Sequence, residues 1–331
     1  MKRIGNLFER AVSFRHLLQC YRKARQGTRK TQRVCAFGFR LEQEILQLRE
    51  ELLEGAYHPK PYHYFQVRDP KRRTIAVADF RDRVVHHAVV GVLEPIYERC
   101  FIHDSYATRK GKGAHAAVFR AQEFLRQSAW FLKTDVCQYF DSIRHEVLLE
   151  QLERKVKDRQ LLDLAARILA NGGQGGVGLP IGNLTSQFFA NVYLNGFDHW
   201  VKETLHVRRY IRYMDDFVLF GPERQQVKAL RQLVEEELAG RLHLRLKPAA
   251  TFINRSDNGL SFLGTRIFPG LIRMHPKNAR RAARKLALKR AAWEGGALSE
   301  ETYLQSLNSY FSYFSVYGTH ALRKRILLHE S

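Results

Sequence analysis

The stretch RRYIRYMDDFVLFG, residues 208–221, constrains this chain more than any other. Tyr210, Ile211 and Tyr213 are strand formers, and Phe217 to Phe220 make a second apolar run ended by Gly221 and Pro222. Two short apolar arms around a polar pair predict a β-hairpin with Asp215 and Asp216 at its tip. Arms this apolar belong in a core, so the carboxylates sit at a tight bend on a rigid support. Adjacent like charges are unfavourable unless a cation or a proton neutralises one of them. A divalent metal does so, and Mg²⁺ prefers one or two carboxylates together with substrate phosphates. Asp is also a common turn residue, and the pair alone is compatible with an ordinary hairpin turn.

The net charge of +22 on 331 residues narrows the choice. Such an excess suits a polyanionic partner, nucleic acid or an acidic membrane surface. An apolar content of 45% excludes wholesale disorder. No apolar run reaches transmembrane length. The opening MKRIGNLFERAVSFRHLL lacks the apolar core of a secretory signal and reads as an amphipathic helix, so the expected location is the cytoplasm. Cys20, Cys35, Cys100 and Cys137 form no CxxC pair or zinc-spaced cluster and read as reduced thiols.

Basic residues recur along the chain. YRKARQGTRKTQR carries Arg22, Lys23, Arg25, Arg29, Lys30 and Arg33, and reads either as a solvated linker or as an arm along a nucleic-acid backbone. Leu41, Ile45, Leu48 and Leu52 then recur at helical spacing, ended by Gly55 and Pro59. Between residues 62 and 78, two β-rich arms flank Asp69-Pro70-Lys71-Arg72. A hairpin presenting Arg68, Lys71 and Arg73 suits a clamp on a triphosphate. His86 and His87 read as packing or backbone contacts, since no carboxylate or third His has matching spacing. In SYATRKGKGAHAA, Arg109, Lys110 and Lys112 stand among glycines that let phosphates approach the backbone.

FLKTDVCQYFDSIR predicts a buried strand ending at Asp135, a carboxylate that can complete the hairpin's metal site, with Asp141 as the cap of the next helix. GGQGGVGLPIGNLTSQFFANVYLNGFD is a Gly-rich loop leading into a helix from about Ser186. Val227, Leu230, Val234 and Leu238 mark a helix ended by Gly240, and residues 242–253 alternate as a strand. A basic helix starts near Lys277 and carries Arg281, Arg284 and Lys285 without an interrupting acid, a face that binds phosphates without reading sequence. The aromatic run at 306–320 supplies packing for it.

In this order the blocks resemble the reverse transcriptases, over roughly residues 20–325. The resemblance implies an α+β right-hand polymerase fold. Residues 1–60 would be a basic helical extension, 61–128 the fingers, 129–270 the palm (with a fingers segment near 150–185) and 271–331 a helical thumb. It makes Asp135, Asp215 and Asp216 the catalytic set, which with the backbone of Val136 would hold two Mg²⁺ ions, or Mn²⁺ as a substitute. Arg68, Lys71 and above all Arg73 would close over the incoming dNTP. Phe140 would block a ribose 2′-OH, Ile181 would line the nascent base pair with Gln187 nearby, and Lys247 would lie near the leaving pyrophosphate. Arg109, Lys110, Lys112, Tyr213, Met214, the Phe262-Leu263-Gly264 primer-grip turn, Lys277, Arg281 and Arg284 would contact template RNA or the RNA/cDNA duplex.

The string IGNLTSQ resembles the reverse transcriptases of diversity-generating retroelements. Most others, group II intron and retron enzymes included, carry Gln-Gly where this chain has Ile181-Gly182. That likeness implies copying with errors at template adenines, and a small basic accessory protein as partner. The short chain without a maturase-like or endonuclease region sets it apart from full group II intron proteins. A stand-alone or phage-defence bacterial reverse transcriptase, and a catalytically idle RNA-binding module, are the alternatives.

Overall fold

The computed structural model describes residues 3–28, 31–68, 72–320, 323–324 and 326. Arg29, Lys30 and Lys71 lie outside the described residues. Helices α1 (Leu7–Ala11), α2 (Phe14–Arg25), α3 (Gln32–Phe39) and α4 (Leu41–Leu53) come first. An antiparallel hairpin of β1 (His63–Arg68) and β2 (Arg72–Val77) follows, then α5 (Phe80–Tyr97) and α6 (Ala114–Arg126). β3 (Trp130–Asp135) leads to α7 (Tyr139–Ser142), α8 (His145–Glu153), α9 (Arg159–Gly172) and α10 (Leu184–His199). Next come β4 (Tyr210–Tyr213), β5 (Asp216–Gly221), α11 (Arg224–Leu242) and β6 (Phe252–Arg255). The short strands β7 (Leu260–Phe262), β8 (Thr265–Ile267) and β9 (Ile272–Met274) precede α12 (Pro276–Glu294) and α13 (Glu300–Ser315).

The central sheet is antiparallel, in the order β4-β5-β3-β6, and both of its faces are covered. Side chains alternate across a strand, so one sequence feeds two cores. Leu132, Tyr210, Phe217 and Leu219 enter the large helical core with α5, α10 and α11. Phe131, Ile211, Val218 and Phe220 enter a second core with α6 and the three-stranded sheet β7-β8-β9. Double coverage explains why β3 and β5 read as continuous apolar runs rather than as alternating strands.

The N-terminal helices are not an appended extension, as expected from sequence, but part of the main core. Leu7, Phe8, Leu17 and Tyr21 are buried in the same cluster as α5 and α10. The Asp158 carboxylate accepts from the backbone N–H groups of Asn6 (3.1 Å) and Leu7 (2.5 Å), and Ile4 N–H donates to the Lys155 carbonyl at 2.8 Å. The arm after residue 20 is helical as far as Arg25 and again from Gln32. Cys20, Tyr21 and Ala24 face inward while Arg22, Lys23 and Arg25 stay exposed.

Three local expectations are corrected. α11 runs through Gly240 to Leu242 and ends where His243 turns left-handed (φ 54°). Residues 242–253 do not form one strand: Pro248–Ala250 is a helical turn, and the strand paired with β3 starts only at Phe252. Proline lacks the N–H that a central ladder needs. Asp141 lies inside α7, and the residue at the start of α8 is Arg144, with no side-chain cap. The four cysteines are free, and among the described residues no helix is long and apolar enough to cross a membrane.

The loop before α10 is locked to β2. Ala76 N–H donates to the Ile181 carbonyl (2.8 Å) and Asn183 Nδ2 donates to the Ala76 carbonyl (3.1 Å). Gly182, at φ 114°, fills the space between them, and a Cβ there would meet Ile75 Cγ2 at 2.7 Å and the Ala76 oxygen at 2.9 Å. Gly182→Ala is therefore expected to lower stability by about 1–3 kcal/mol. A denaturation midpoint equal to the parent's would show that the two segments are not locked.

Candidate active site

The hairpin tip and the end of β3 meet because of register. Asp135 pairs with Asp216 across β3 and β5, Tyr213 pairs with Asp216 across β4 and β5, and Val136 N–H donates to the Asp215 carbonyl at 3.2 Å. Three carboxylates thus converge at one end of the sheet. Met214, between the strands, holds φ 60°, the left-handed conformation a tight hairpin requires. The same sheet end receives Lys247, whose backbone N–H donates to the Asp135 carbonyl at 2.8 Å.

The three carboxylates are not equivalent. Burial and then the nearby Asp135 carboxylate push the Asp215 carboxyl up to about 6. Burial also raises Asp216, to about 7, against the opposing pull of the Lys133 ammonium. Lys133 Nζ forms an ion pair with Asp216, and Lys133 itself is only 7% exposed. Despite that pair, Asp216 Oδ1 is buried without a well-aligned hydrogen bond. Among the described residues no three His, Cys, Asp or Glu side chains form a metal-holding group. The donor set therefore centres on the neighbouring carboxylates of Asp135 and Asp215, with Asp216 drawn to Lys133. Two carboxylates are what Mg²⁺ uses when substrate phosphates supply further oxygens, so the residues fit such an ion. The Val136 carbonyl is not engaged by the bonds that hold its neighbours to residues 245–247.

A buried cation fixes the tip from below. The Arg212 side chain is fully buried and forks onto Asp198, Nε to Oδ1 at 2.7 Å and Nη2 to Oδ2 at 2.6 Å. Its Nη1 donates to the Met214 carbonyl and to Asn191 Oδ1, both at 3.0 Å. Asn191 Nδ2 in turn donates to the Ala107 carbonyl and to Thr108 Oγ1, both at 2.8 Å, which ties the start of the basic loop to the tip. Sequence reasoning missed Arg212, Asp198, Asn191 and Lys133. The available signal was a charge inside each of two apolar strands, YIRY and FLKT, since a buried charge needs a partner.

The other candidates are distributed as follows. Arg68 and Arg73 are exposed on the β1–β2 hairpin. Phe140 is half-buried against Tyr139, and its carbonyl accepts from Leu179 N–H at 2.8 Å, which brings it to the loop that carries Ile181. Ile181 is half-buried and Gln187 exposed on the first turn of α10. Lys110, Lys277 and Arg284 are exposed, Arg281 is half-buried on α12, and Tyr213 is half-buried against the second core.

Arg109 corrects an expectation. Rather than facing a template, its guanidinium is 6% exposed, bridges Glu98 at 2.9 Å, and donates to the Ile102 (2.7 Å) and Ser105 (2.8 Å) carbonyls. It shapes the loop from inside. Lys112 likewise donates to the His103 carbonyl and lies over the Tyr106 ring. Phe262 is core, while Leu263 (φ 47°) and Gly264 (φ 83°) form the turn between β7 and β8.

Two outcomes are expected. Arg212→Met leaves Asp198 in the core without its cation, with the Tyr210 hydroxyl still donating to Oδ1 at 2.8 Å, and should cost about 3–5 kcal/mol in urea unfolding; a cost under about 1 kcal/mol would mean the pair is idle. The second concerns pH. A carboxyl raised above its unfolded value stabilises most below that value, and the advantage is lost as pH rises through the folded one. In EDTA, Asp215→Asn should therefore gain stability relative to the parent between about pH 4 and pH 6, by up to about 1.4 kcal/mol per unit, and the difference should level off above that range. A difference independent of pH would contradict the assignment.

Residues 59–267 match the family described as reverse transcriptase (RNA-dependent DNA polymerase). Protein YkfC of Escherichia coli K12 is 29% identical over 274 residues, covering 69% of this chain and 72% of its own. The group II intron-encoded protein LtrA of Lactococcus lactis is 28% identical over 170 residues, 48% of this chain and 28% of its own. The putative COX1/OXI3 intron 1 protein of Saccharomyces cerevisiae is 26% identical over 171 residues, and this chain spans 20% of it. Apo telomerase from Candida tropicalis, 12% identical, shares the fold at a TM-score of 0.50 over 68% of this chain and 59% of its own. The chain is a member of the reverse transcriptase family, with relatives among the proteins encoded by group II introns.

Proposed function

We propose that the protein is an RNA-directed DNA polymerase that copies a template RNA into cDNA from dNTPs. The observation that carries this reading is the meeting of Asp135, Asp215 and Asp216 at one sheet end in a chain of this family. Mg²⁺ or Mn²⁺, when bound by Asp135, Asp215 and the Val136 carbonyl, supplies the charge neutralisation that activates a primer 3′-OH and stabilises departing pyrophosphate. The protein's own part is positioning and electrostatics. The Arg212 network holds the carboxylates, Arg68, Lys71 and Arg73 gather the triphosphate, and Lys247 neighbours Asp135 on the leaving-group side. Phe140 and Ile181 bound the nucleotide, while Lys110, the β7–β8 turn and the exposed cations of α12 carry the duplex. In this reading β1–β2 with its neighbours are fingers, the central sheet the palm, and α12 and α13 the thumb.

The finer proposal is mutagenic copying in a diversity-generating retroelement. Support comes from Ile181-Gly182, where an aliphatic group replaces the hydrogen-bonding glutamine of most relatives, beside the YMDD hairpin. The likeness to YkfC and LtrA favours a second reading, a bacterial reverse transcriptase of group II intron-like ancestry without mutagenic purpose. Primer extension on RNA with dNTPs and Mg²⁺ tests both. Asp215→Ala should reduce extension at least about 100-fold, and unchanged extension would refute the polymerase site. Sequenced cDNA with errors clustered at adenines supports the mutagenic role; errors spread evenly over the bases support the second reading.

A further inference from the structure

A cavity of about 260 Å³ opens where the ends of α5, α8 and α11 meet the second half of α10. Arg154, Lys155 and Arg241 stand around it, and among the described residues no acid lines it. Two amides, Gln151 and Asn195, reach it from different helices. Gln151 Nε2 donates to the Tyr193 carbonyl at 3.1 Å, which fixes the amide's orientation and leaves Oε1 as its other end. That Oε1 is buried without a hydrogen-bond partner among the described residues, and so is Asn195 Oδ1. Unpaired buried acceptors are costly, and two of them beside one cavity call for a ligand that brings donors.

Gly196 keeps the space open. A Cβ there would lie 3.6 Å from Arg241 Nη2, an ordinary contact, with no other listed neighbour within 4 Å. Packing therefore does not demand a glycine at this point of α10, and glycine is a poor helix former. Arg154 has no side-chain partner among the described residues, and Arg241 is tied to Glu237 through one terminal nitrogen at 3.1 Å.

We propose that this cavity binds a free nucleoside 5′-monophosphate, its phosphate on Arg154, Lys155 and Arg241 and its base N–H groups on Gln151 Oε1 and Asn195 Oδ1. Guanidinium and ammonium groups match phosphate. The exocyclic amino groups of adenine, guanine and cytosine supply the missing donors. The volume lies just below the range of about 300–1,000 Å³ usual for ligand pockets, room for one nucleotide rather than a strand. Position separates this ligand from an incoming dNTP. The catalytic carboxylates stand at one end of the sheet, whereas the cavity lies among the helices, and none of its lining residues belongs to the proposed triphosphate or duplex path. Asn195 and Gly196 fall between Asn191 and Asp198, the α10 partners of Arg212, so the occupant sits on the helix that holds the hairpin tip.

Calorimetric titration of the full chain in EDTA, which removes divalent ions from the carboxylates, tests the site with AMP, GMP, CMP, UMP, ribose phosphate and inorganic phosphate. One nucleotide should bind per chain, and a base with an amino group should bind roughly tenfold more tightly than UMP or ribose phosphate. Arg154→Gln, Asn195→Leu and Gly196→Ala should each weaken binding about tenfold, while Asp215→Ala binds as the parent does. Gly196→Ala should also raise the thermal midpoint, so binding lost there is not folding lost. Arg154 is exposed and serves as the second such variant should Asn195→Leu fail to fold. Binding unchanged in both Arg154→Gln and Gly196→Ala overturns the site, as does binding lost in Asp215→Ala alone, which would place the nucleotide at the carboxylates. Ribose phosphate or inorganic phosphate binding as tightly as the best nucleotide overturns the base contacts. A 5′-phosphorylated RNA that binds through these residues more tightly than its free first nucleotide overturns the free ligand in favour of an RNA end. No binding by any of these probes overturns the proposal outright.

Discussion

The Arg212–Asp198 pair is the interaction on which the site depends. The guanidinium lies beneath a hairpin whose tip places two carboxylates beside a third. By donating to the Met214 carbonyl, Arg212 fixes the one left-handed residue of the tip. By donating to Asn191, it ties the tip to α10 and, through Ala107 and Thr108, to the loop along the outer edge of β4. A buried pair rarely adds net stability compared with an apolar filling. Its value here is orientation, since a bidentate fork has one geometry where a methionine would have many.

Lys133 complements this arrangement from the neighbouring strand. Three carboxylates gathered in a core repel one another, and one ammonium reduces that repulsion in the protein itself. Because the ammonium reaches Asp216, the two carboxylates that remain free to face a cation are those on the Asp135–Asp215 side. The order of residues at the tip therefore matters. Under the proposed function Asp215, in the turn, is the carboxylate offered to the ion, while Asp216, first residue of β5, is anchored to the sheet by Lys133.

Much of this was legible in the sequence. The catalytic-site hairpin β4–β5, the strand into Asp135, the β1–β2 hairpin and the helix α12 all announce themselves through apolar periodicity, turn residues and charge, and the structure builds each element. What escaped was decided at a distance. Arg109 looks like a phosphate ligand among glycines, and only the fold reveals Glu98 and two carbonyls waiting for it. Gly240 is a helix stop by propensity, yet Leu238 and Leu242 are both needed in the core and the helix continues between them. The N-terminal helices read as an extension because their partners lie some 150 residues later.

That last separation has a consequence for how the chain is made. The strap that fastens Ile4–Leu7 to Lys155–Asp158 cannot form until the second segment has left the ribosome. At about 5–20 residues per second, the apolar faces of α1 and α2 spend on the order of ten seconds without their full set of neighbours. The first forty residues are dense in cations, and like charge of that density disfavours association of one such segment with another during that interval.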